Sequence, residues 1–212
     1  MIEKYKSRAD FADAMIDKYF TKLPSNIVSD IGAGFGHMQN KVEKEGFIWQ
    51  PFDYYKKIEK SIIWNLNNPF PLNAKKAGGI LFLEVLEHLG NPQLGLKNIA
   101  NHIDKNGVLI LTTPNPQSSK NTLSLFLKGS LYAFQPKHLA ENHVFTPWKH
   151  IVSFFLEQEG FKIIEYAIVD TSYHDTKPSS FKDLFKRWAE KLIERRNPEA
   201  QGMSYGIVAL KK

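Results

Sequence analysis

Seven short apolar runs recur along this chain, and helix-period segments fall between most of them. The runs cover residues 27–31, 47–52, 61–64, 80–84, 107–112, 161–167 and 205–210, each bounded by turn residues. The helical patterns cover residues 9–20, 36–44, 92–103 and 146–159. A chain that alternates in this way builds βα units around a mostly parallel sheet. With 212 residues, 42% of them hydrophobic, the chain is large enough for one domain with a real core. We read residues 1–212 as a single α/β domain with two insertions. The first, at 114–143, is polar but contains the apolar stretch "LSLFLKGSLYAF"; the second, at 171–204, contains a basic helical pattern.

Several classes are excluded early. No run approaches the ~18 apolar residues of a membrane span, and the charged start "MIEKYKSRAD" has no apolar signal core. The chain has no cysteine, which rules out disulfides and thiolate nucleophiles and fits a cytoplasmic location. Its formal charge of +6 leans toward acidic partners: nucleic acid, phosphorylated substrates or anionic lipid.

The first apolar run ends in "VSDIGAGFGHM", where an acid, Asp30, precedes Gly32, Gly34 and Gly36. Ligands of open parallel sheets bind beyond the carboxyl ends of strands, and glycines there allow tight turning and backbone contact. The spacing is G-x-G-x-G, not the G-x-G-x-x-G of dinucleotide sites. A second acid, Asp53, ends the next strand 17 residues after Gly36, close to the spacing at which an acid grips ribose hydroxyls.

The stretch "VSDIGAGFGHM" resembles the first motif of class I S-adenosylmethionine-dependent methyltransferases. The resemblance continues in order through "WNLNNPFPLN", "LFLEVLEHLGNP", "HIDKNGVLILTTPN", "ENHVFTPWKHIVSFFLEQEGF" and "SYGIVALKK". It is closest to the branch with "EVLEHL" and "TPN", which includes ubiquinone-pathway and polysaccharide-cluster O-methyltransferases. It implies a Rossmann-like, seven-stranded sheet of order 3-2-1-4-5-7-6, the last strand antiparallel, with helices on both faces. S-adenosylmethionine is the implied cofactor: Asp30, Gly32, Gly34 and Gly36 would hold its methionine end and Asp53 its ribose. Asn65 and Leu66 would meet the adenine, and Glu84 would lie near the methionine moiety. Ala77-Gly78-Gly79 departs from the Phe-Asp that the family places before the fourth strand.

The sulfonium is already reactive, so the protein must align an acceptor and handle one proton. Glu84, Glu87 and His88 sit at i, i+3 and i+4, on one side of a helical turn. With the distant His143 they offer an oxygen-and-nitrogen shell for a divalent metal. That set also resembles the small-RNA 2′-O-methyltransferases. The other readings make His88 or His143, beside Glu87, a metal-free base, or the turn purely structural. Tyr132, Phe134 and Trp148 would wall the acceptor under the first insertion, and Asn115 would bond to it.

In "SSFKDLFKRWAEKLIERR", Phe181, Leu184, Phe185, Trp188 and Leu192 share one helical face, with Ser179 or Ser180 as N-cap. The segment 177–196 carries 7 basic and 3 acidic residues, counting Lys177. The plain reading packs that apolar face on the domain. The sharper one brings residues 180–196 to the inner membrane surface or to a lipid-linked substrate; nucleic-acid contact is a third. The expected reaction is O-methylation of a sugar hydroxyl or other small hydroxylated acceptor. Metal-assisted RNA 2′-O-methylation, nicotinamide-dependent oxidoreduction and an inactive cofactor-binding protein are the alternatives.

Overall fold

The structure, a computed structural model, describes residues 2–175 and 179–212. Lys177, counted above with the basic segment, lies outside the described residues. Among the described residues one sheet contains eight strands. In chain order these are β1 (Glu3–Lys4), β2 (Ile27–Ile31), β3 (Ile48–Asp53), β4 (Ile62–Ile63), β5 (Ala77–Leu83), β6 (Ile103–Pro114), β7 (Phe161–Val169) and β8 (Ser204–Lys211). The helices are α1 (Arg8–Tyr19), α2 (Gln39–Lys44), α3 (Pro92–His102), α4 (Ser119–Lys128), α5 (Lys149–Gln158) and α6 (Phe181–Arg196).

The spatial order is β1-β7-β8-β6-β5-β2-β3-β4. Only β8 runs antiparallel, pairing with β6 on one side and β7 on the other. The expected seven strands are therefore present in the expected order. The eighth is β1, two residues that extend the β7 edge in parallel, with Lys4 opposite Ile168. Two residues are too few for a periodic signal, which is why the sequence hides them.

Strand alternation builds the two cores. Ile80 and Phe82 of β5, with Leu109 and Leu111 of β6, face Leu96 and Ile99 of α3 and Val152 and Leu156 of α5. Leu81, Val108 and Ile110 point the other way, onto Phe11 and Met15 of α1 and Val42 of α2. Ser7 caps α1 by accepting from Asp10 N–H, and Asn91 caps α3 with Pro92 just inside it.

The Ala77-Gly78-Gly79 departure has a packing cause. A Cβ on Gly78 would lie 2.3 Å from Ser25 O, so a side chain there would collide with the loop that enters β2. Strand β5 accordingly starts at Ala77, three residues before the expected entry. Strand β6 starts at Ile103 because Asn106, at φ 62, takes up the irregular step in its ladder. Helix α4 lies inside the first insertion, where no helix was expected.

Candidate active site

Strand order reverses at β2, which has β3 on one side and β5 on the other. The crevice beyond their carboxyl ends is where an open α/β sheet binds ligands. A cleft of about 630 Å³ lies there, lined by residues from the β2, β3 and β5 ends and by Glu141, Asn142 and Val144 of the first insertion and the turn after it.

The glycine loop forms its floor. Gly32, Gly34 and Gly36 have φ of 79°, 57° and 80°, all in the left-handed region. Gly32 is doubly constrained, since a Cβ there would meet Val85 Cγ2 at 2.4 Å. The N–H groups of Gly32 and Ala33 both donate to Phe52 O at 2.9 Å, tying the loop to β3. Gly32 lines the cleft, whereas Gly34 and Gly36 hold the loop's shape behind it.

Asp53 lies at the end of β3 and lines the cleft. Its Oδ2 accepts from Gly34 N–H at 3.0 Å and lies 3.6 Å from Lys57 Nζ. The neighbouring Tyr54 and Tyr55 are exposed on the rim with ring centroids 4.7 Å apart. Asp30 is placed differently. It is buried under the loop, does not line the cleft, and accepts from Trp49 Nε1 at 3.0 Å. Burial pushes its carboxyl up to about 6, with Trp49 opposing the shift. Its position is that of a support for the loop.

Asn65 and Leu66 both line the cleft. Asn65 Oδ1 already accepts from Asn67 N–H at 3.0 Å, leaving one lone pair for a ligand. Leu66 O accepts from the Asn98 amide. Among the described residues Leu66 N–H has no backbone acceptor, and the residue itself stands between the core and the cleft.

The acidic end is strained and crowded. Glu84 has φ 55, an unusual conformation for a residue with a side chain. Its carboxyl is mostly buried, with Oε2 3.5 Å from both Arg8 Nη1 and Ser204 Oγ and Oε1 without a partner. Burial, reinforced by Glu87, pushes it up to about 8 against the pull of Arg8. Glu87 is buried, accepts from Thr113 Oγ1 at 3.0 Å, and is pushed up to about 7 by burial.

His88 Nδ1 lies 2.7 Å from Glu141 O, and His143 Nδ1 lies 3.1 Å from Ala133 O. A carbonyl only accepts, so both Nδ1 atoms carry hydrogen, and each Nε2 faces a carboxylate: His88 Nε2 lies 3.9 Å from Glu87 Oε1 and His143 Nε2 lies 3.8 Å from Glu141 Oε2. The rings stand edge-to-face at 4.9 Å. One carboxylate oxygen of Glu87 and one ring nitrogen from each histidine lie within 4.8 Å of one another. Glu84 is not in this cluster. The expected four-residue shell is thus corrected to three, because the Glu84 carboxylate turns to Arg8 and Ser204.

Other expectations are also corrected. Asn115 is buried: its Nδ2 donates to Glu199 O and Gly202 O and its Oδ1 accepts from Gln117 N–H, so it locks the turn. Tyr132, Phe134 and Trp148 do not line the cleft; the aromatic residues that do are Phe52, Tyr54, Tyr55 and Trp64. Phe134 stands against the His143 ring at 5.9 Å. Sequence reasoning missed Arg8, which reaches Glu84 from the other end of the chain and is held by Asp170 through its backbone N–H. No local pattern marks it. Tyr54 and Tyr55 had a signal, since they directly follow Asp53 at a strand's end.

The chain is 23% identical over 143 residues to a protein of Rickettsia typhi named ubiquinone biosynthesis O-methyltransferase, a stretch covering 62% of this chain and 58% of that one. It thus spans less than two thirds of that relative's length. The fold matches an S-adenosylmethionine-dependent methyltransferase from Archaeoglobus fulgidus, with TM-score 0.61, 18% identity and coverage of 95% and 93% of the two chains. It also matches the magnesium protoporphyrin IX methyltransferase of Synechocystis with bound S-adenosylmethionine, with TM-score 0.57, 15% identity and coverage of 96% and 77%. Residues 5–166 match the family described as a methyltransferase domain. With that match across three quarters of its length, the chain belongs to the methyltransferase-domain family, within the class I S-adenosylmethionine-dependent superfamily.

Proposed function

We propose that the protein is an S-adenosylmethionine-dependent O-methyltransferase that acts on a hydroxyl of a small acceptor. The observation that carries this reading is the cluster of Glu87, His88 and His143, set beside a cleft whose floor is the glycine loop and Asp53. The residues fit the cofactor. Asp53 offers carboxylate oxygens to ribose hydroxyls, Leu66 stands on the cleft wall where a purine would lie, and Gly32 lines the cleft without a side chain of its own. When bound, S-adenosylmethionine supplies a methyl group already activated on a sulfonium.

The chain's own residues then align the acceptor and take one proton. His88 lines the cleft, and its Nε2, 3.9 Å from Glu87 Oε1, carries the lone pair that accepts a hydroxyl proton. Glu87, in its ionised form, supplies negative charge 3.9 Å from the imidazolium that results. Such general-base assistance contributes roughly 10²–10⁴-fold. The Rickettsia relatives' printed name supports O-methylation as the reaction type. The acceptor class proposed here includes sugar hydroxyls and ring hydroxyls.

The test is methyl transfer from labelled S-adenosylmethionine to three panels: glycans, catechol-type phenols and RNA oligonucleotides. Transfer to a hydroxyl of either small-molecule panel, lowered at least about 10²-fold in His88→Ala, is the expected result. Transfer to nitrogen or carbon acceptors instead would overturn the reading.

A second reading rests on the same cluster. Both histidines donate Nδ1–H to backbone carbonyls, the arrangement that orients metal-ligating imidazoles. Glu87, His88 and His143 then fit three ligands of a divalent cation that polarises the acceptor hydroxyl, as in metal-assisted RNA 2′-O-methylation. Calorimetric titration of chelator-treated protein with manganese or cobalt checks it. Binding lost in His143→Ala favours a metal, and no heat of binding with full transfer in chelator leaves the histidines as metal-free bases.

A further inference from the structure

Helix α6 packs with its polar side inward. Glu190 and Glu194 are each only 8% exposed. Glu194 Oε1 accepts from Ser119 Oγ at 2.7 Å and from Tyr173 OH at 3.2 Å. Arg187 donates to the Tyr173 and His174 carbonyls at 2.7 and 3.1 Å. The opposite stripe, Phe181, Phe185, Trp188 and Leu192, follows i, i+4, i+7 and i+11 and faces solvent, with Phe181 86% and Trp188 56% exposed. This reverses the plain expectation that the apolar face packs on the domain.

Helix α4 packs beside α6 and repeats the inversion. Its Asn121 and Ser124 are buried, and Leu125, Phe126 and Leu127 are exposed. Neither helix can roll its apolar residues inward without breaking the polar bonds that seat it. At ~100° per residue, Lys182, Lys186 and Arg196 fall along one side of the α6 stripe, and Lys191 and Arg195 along the other. All five are exposed. The acids of the helix, Asp183, Glu190 and Glu194, fall on the inward side.

We propose that α6, with α4 beside it, seats the protein on an anionic bilayer surface. Apolar side chains would enter the boundary between headgroups and acyl chains, and the two cationic rows would meet lipid phosphates. The charge pattern selects this occupant over a second copy of the chain. A two-fold contact sets the same patch against itself, and here cationic rows would face cationic rows.

The test is flotation of the full chain with vesicles of phosphatidylcholine alone and of phosphatidylcholine with phosphatidylglycerol. The expected result is binding to the anionic vesicles only, weakening as salt rises. Replacing Lys182, Lys186 and Arg196 by glutamine should weaken partitioning about fivefold each and about a hundredfold together. Phe185→Ser with Trp188→Ser should remove binding while the thermal unfolding curve stays unchanged, since both side chains are exposed. No binding to anionic vesicles at low salt, or binding that both variants leave intact, overturns the proposal. So does a concentration-dependent dimer that the serine variant disperses and that does not float. The readout needs no methyl acceptor, so its failure is distinct from failure of the reaction assignment.

Discussion

At the scale of single residues, the site divides into groups that touch the cleft and groups that hold them there. Asp53 touches it. Removing its carboxylate leaves buried polar partners unsatisfied, at a cost of ~1–3 kcal/mol, or about 5- to 150-fold in affinity. Calorimetry with S-adenosylhomocysteine on Asp53→Ala is expected to show that weakening, and unchanged affinity would remove Asp53 from the ribose site. Glu84 carries a second prediction. Its folded value of about 8 stands above its ordinary 4.5, so the folded protein binds that proton more tightly than the unfolded chain does. The associated stability is fully present below about pH 4.5 and is lost as pH rises through about 8. Glu84→Gln keeps the neutral shape. Its melting temperature should match the unaltered protein at pH 5 and exceed it at pH 9, and parallel curves would contradict the burial argument. Glu84, Glu87 and His88 were legible because they crowd one short turn after an apolar run. Arg8 was not, because its contact with Glu84 exists only once α1 has packed across the sheet and Asp170 has caught its backbone. The Asp30–Trp49 bond was equally hidden, since it joins two strands across a pairing that no local pattern records.

At the scale of elements, strands buried on both faces were easily read. Residues 27–31 form β2 with the expected bounds because Ile27, Val28 and Ile31 are apolar, Ser29 is small, the Asp30 carboxylate is satisfied by Trp49, and a glycine loop ends the run. The helices of the insertions were harder. Helix α4 buries Ser119, Asn121 and Ser124, so its pattern looks like a polar loop with a stray apolar patch. Helix α6 was visible as a helix, yet its orientation could not be read, because an amphipathic period does not say which face the protein takes. The resulting prediction reverses the usual rule. Trp188→Ser should change stability by no more than ~0.5 kcal/mol, as surface substitutions do. Glu194→Ala should cost ~1–3 kcal/mol by removing the carboxylate that accepts from both the Ser119 and Tyr173 hydroxyls inside the helix contact. Urea unfolding of the two variants checks this, and the opposite ranking would mean that α6 sits the other way round.

At the scale of the whole molecule, the sheet supplies the rigid frame, and the two insertions meet through α4 and α6 and through Asn197 Nδ2, which donates to Gln117 Oε1. No helix among the described residues is long and apolar enough to cross a membrane. A ligand that binds only the folded chain stabilises it by mass action. S-adenosylhomocysteine at about 100 times its Kd should add ~2.7 kcal/mol, or roughly 5–11 °C in melting temperature for a chain of this size. NAD at the same concentration should add nothing, and a shift with NAD alone would return the site to a nicotinamide reading. The connection between the frame and the first insertion has a consequence for the order of events in turnover. Val144 and Phe145 both donate their N–H groups to Glu87 O, at 3.0 and 3.1 Å, and Glu141 O lies 2.7 Å from His88 Nδ1. The strap carrying His143 is therefore hung on the two residues that His143 must face. Any lifting of that strap would withdraw one histidine and free the other to rotate, so the cluster proposed to act on the acceptor holds together only while the strap stays down.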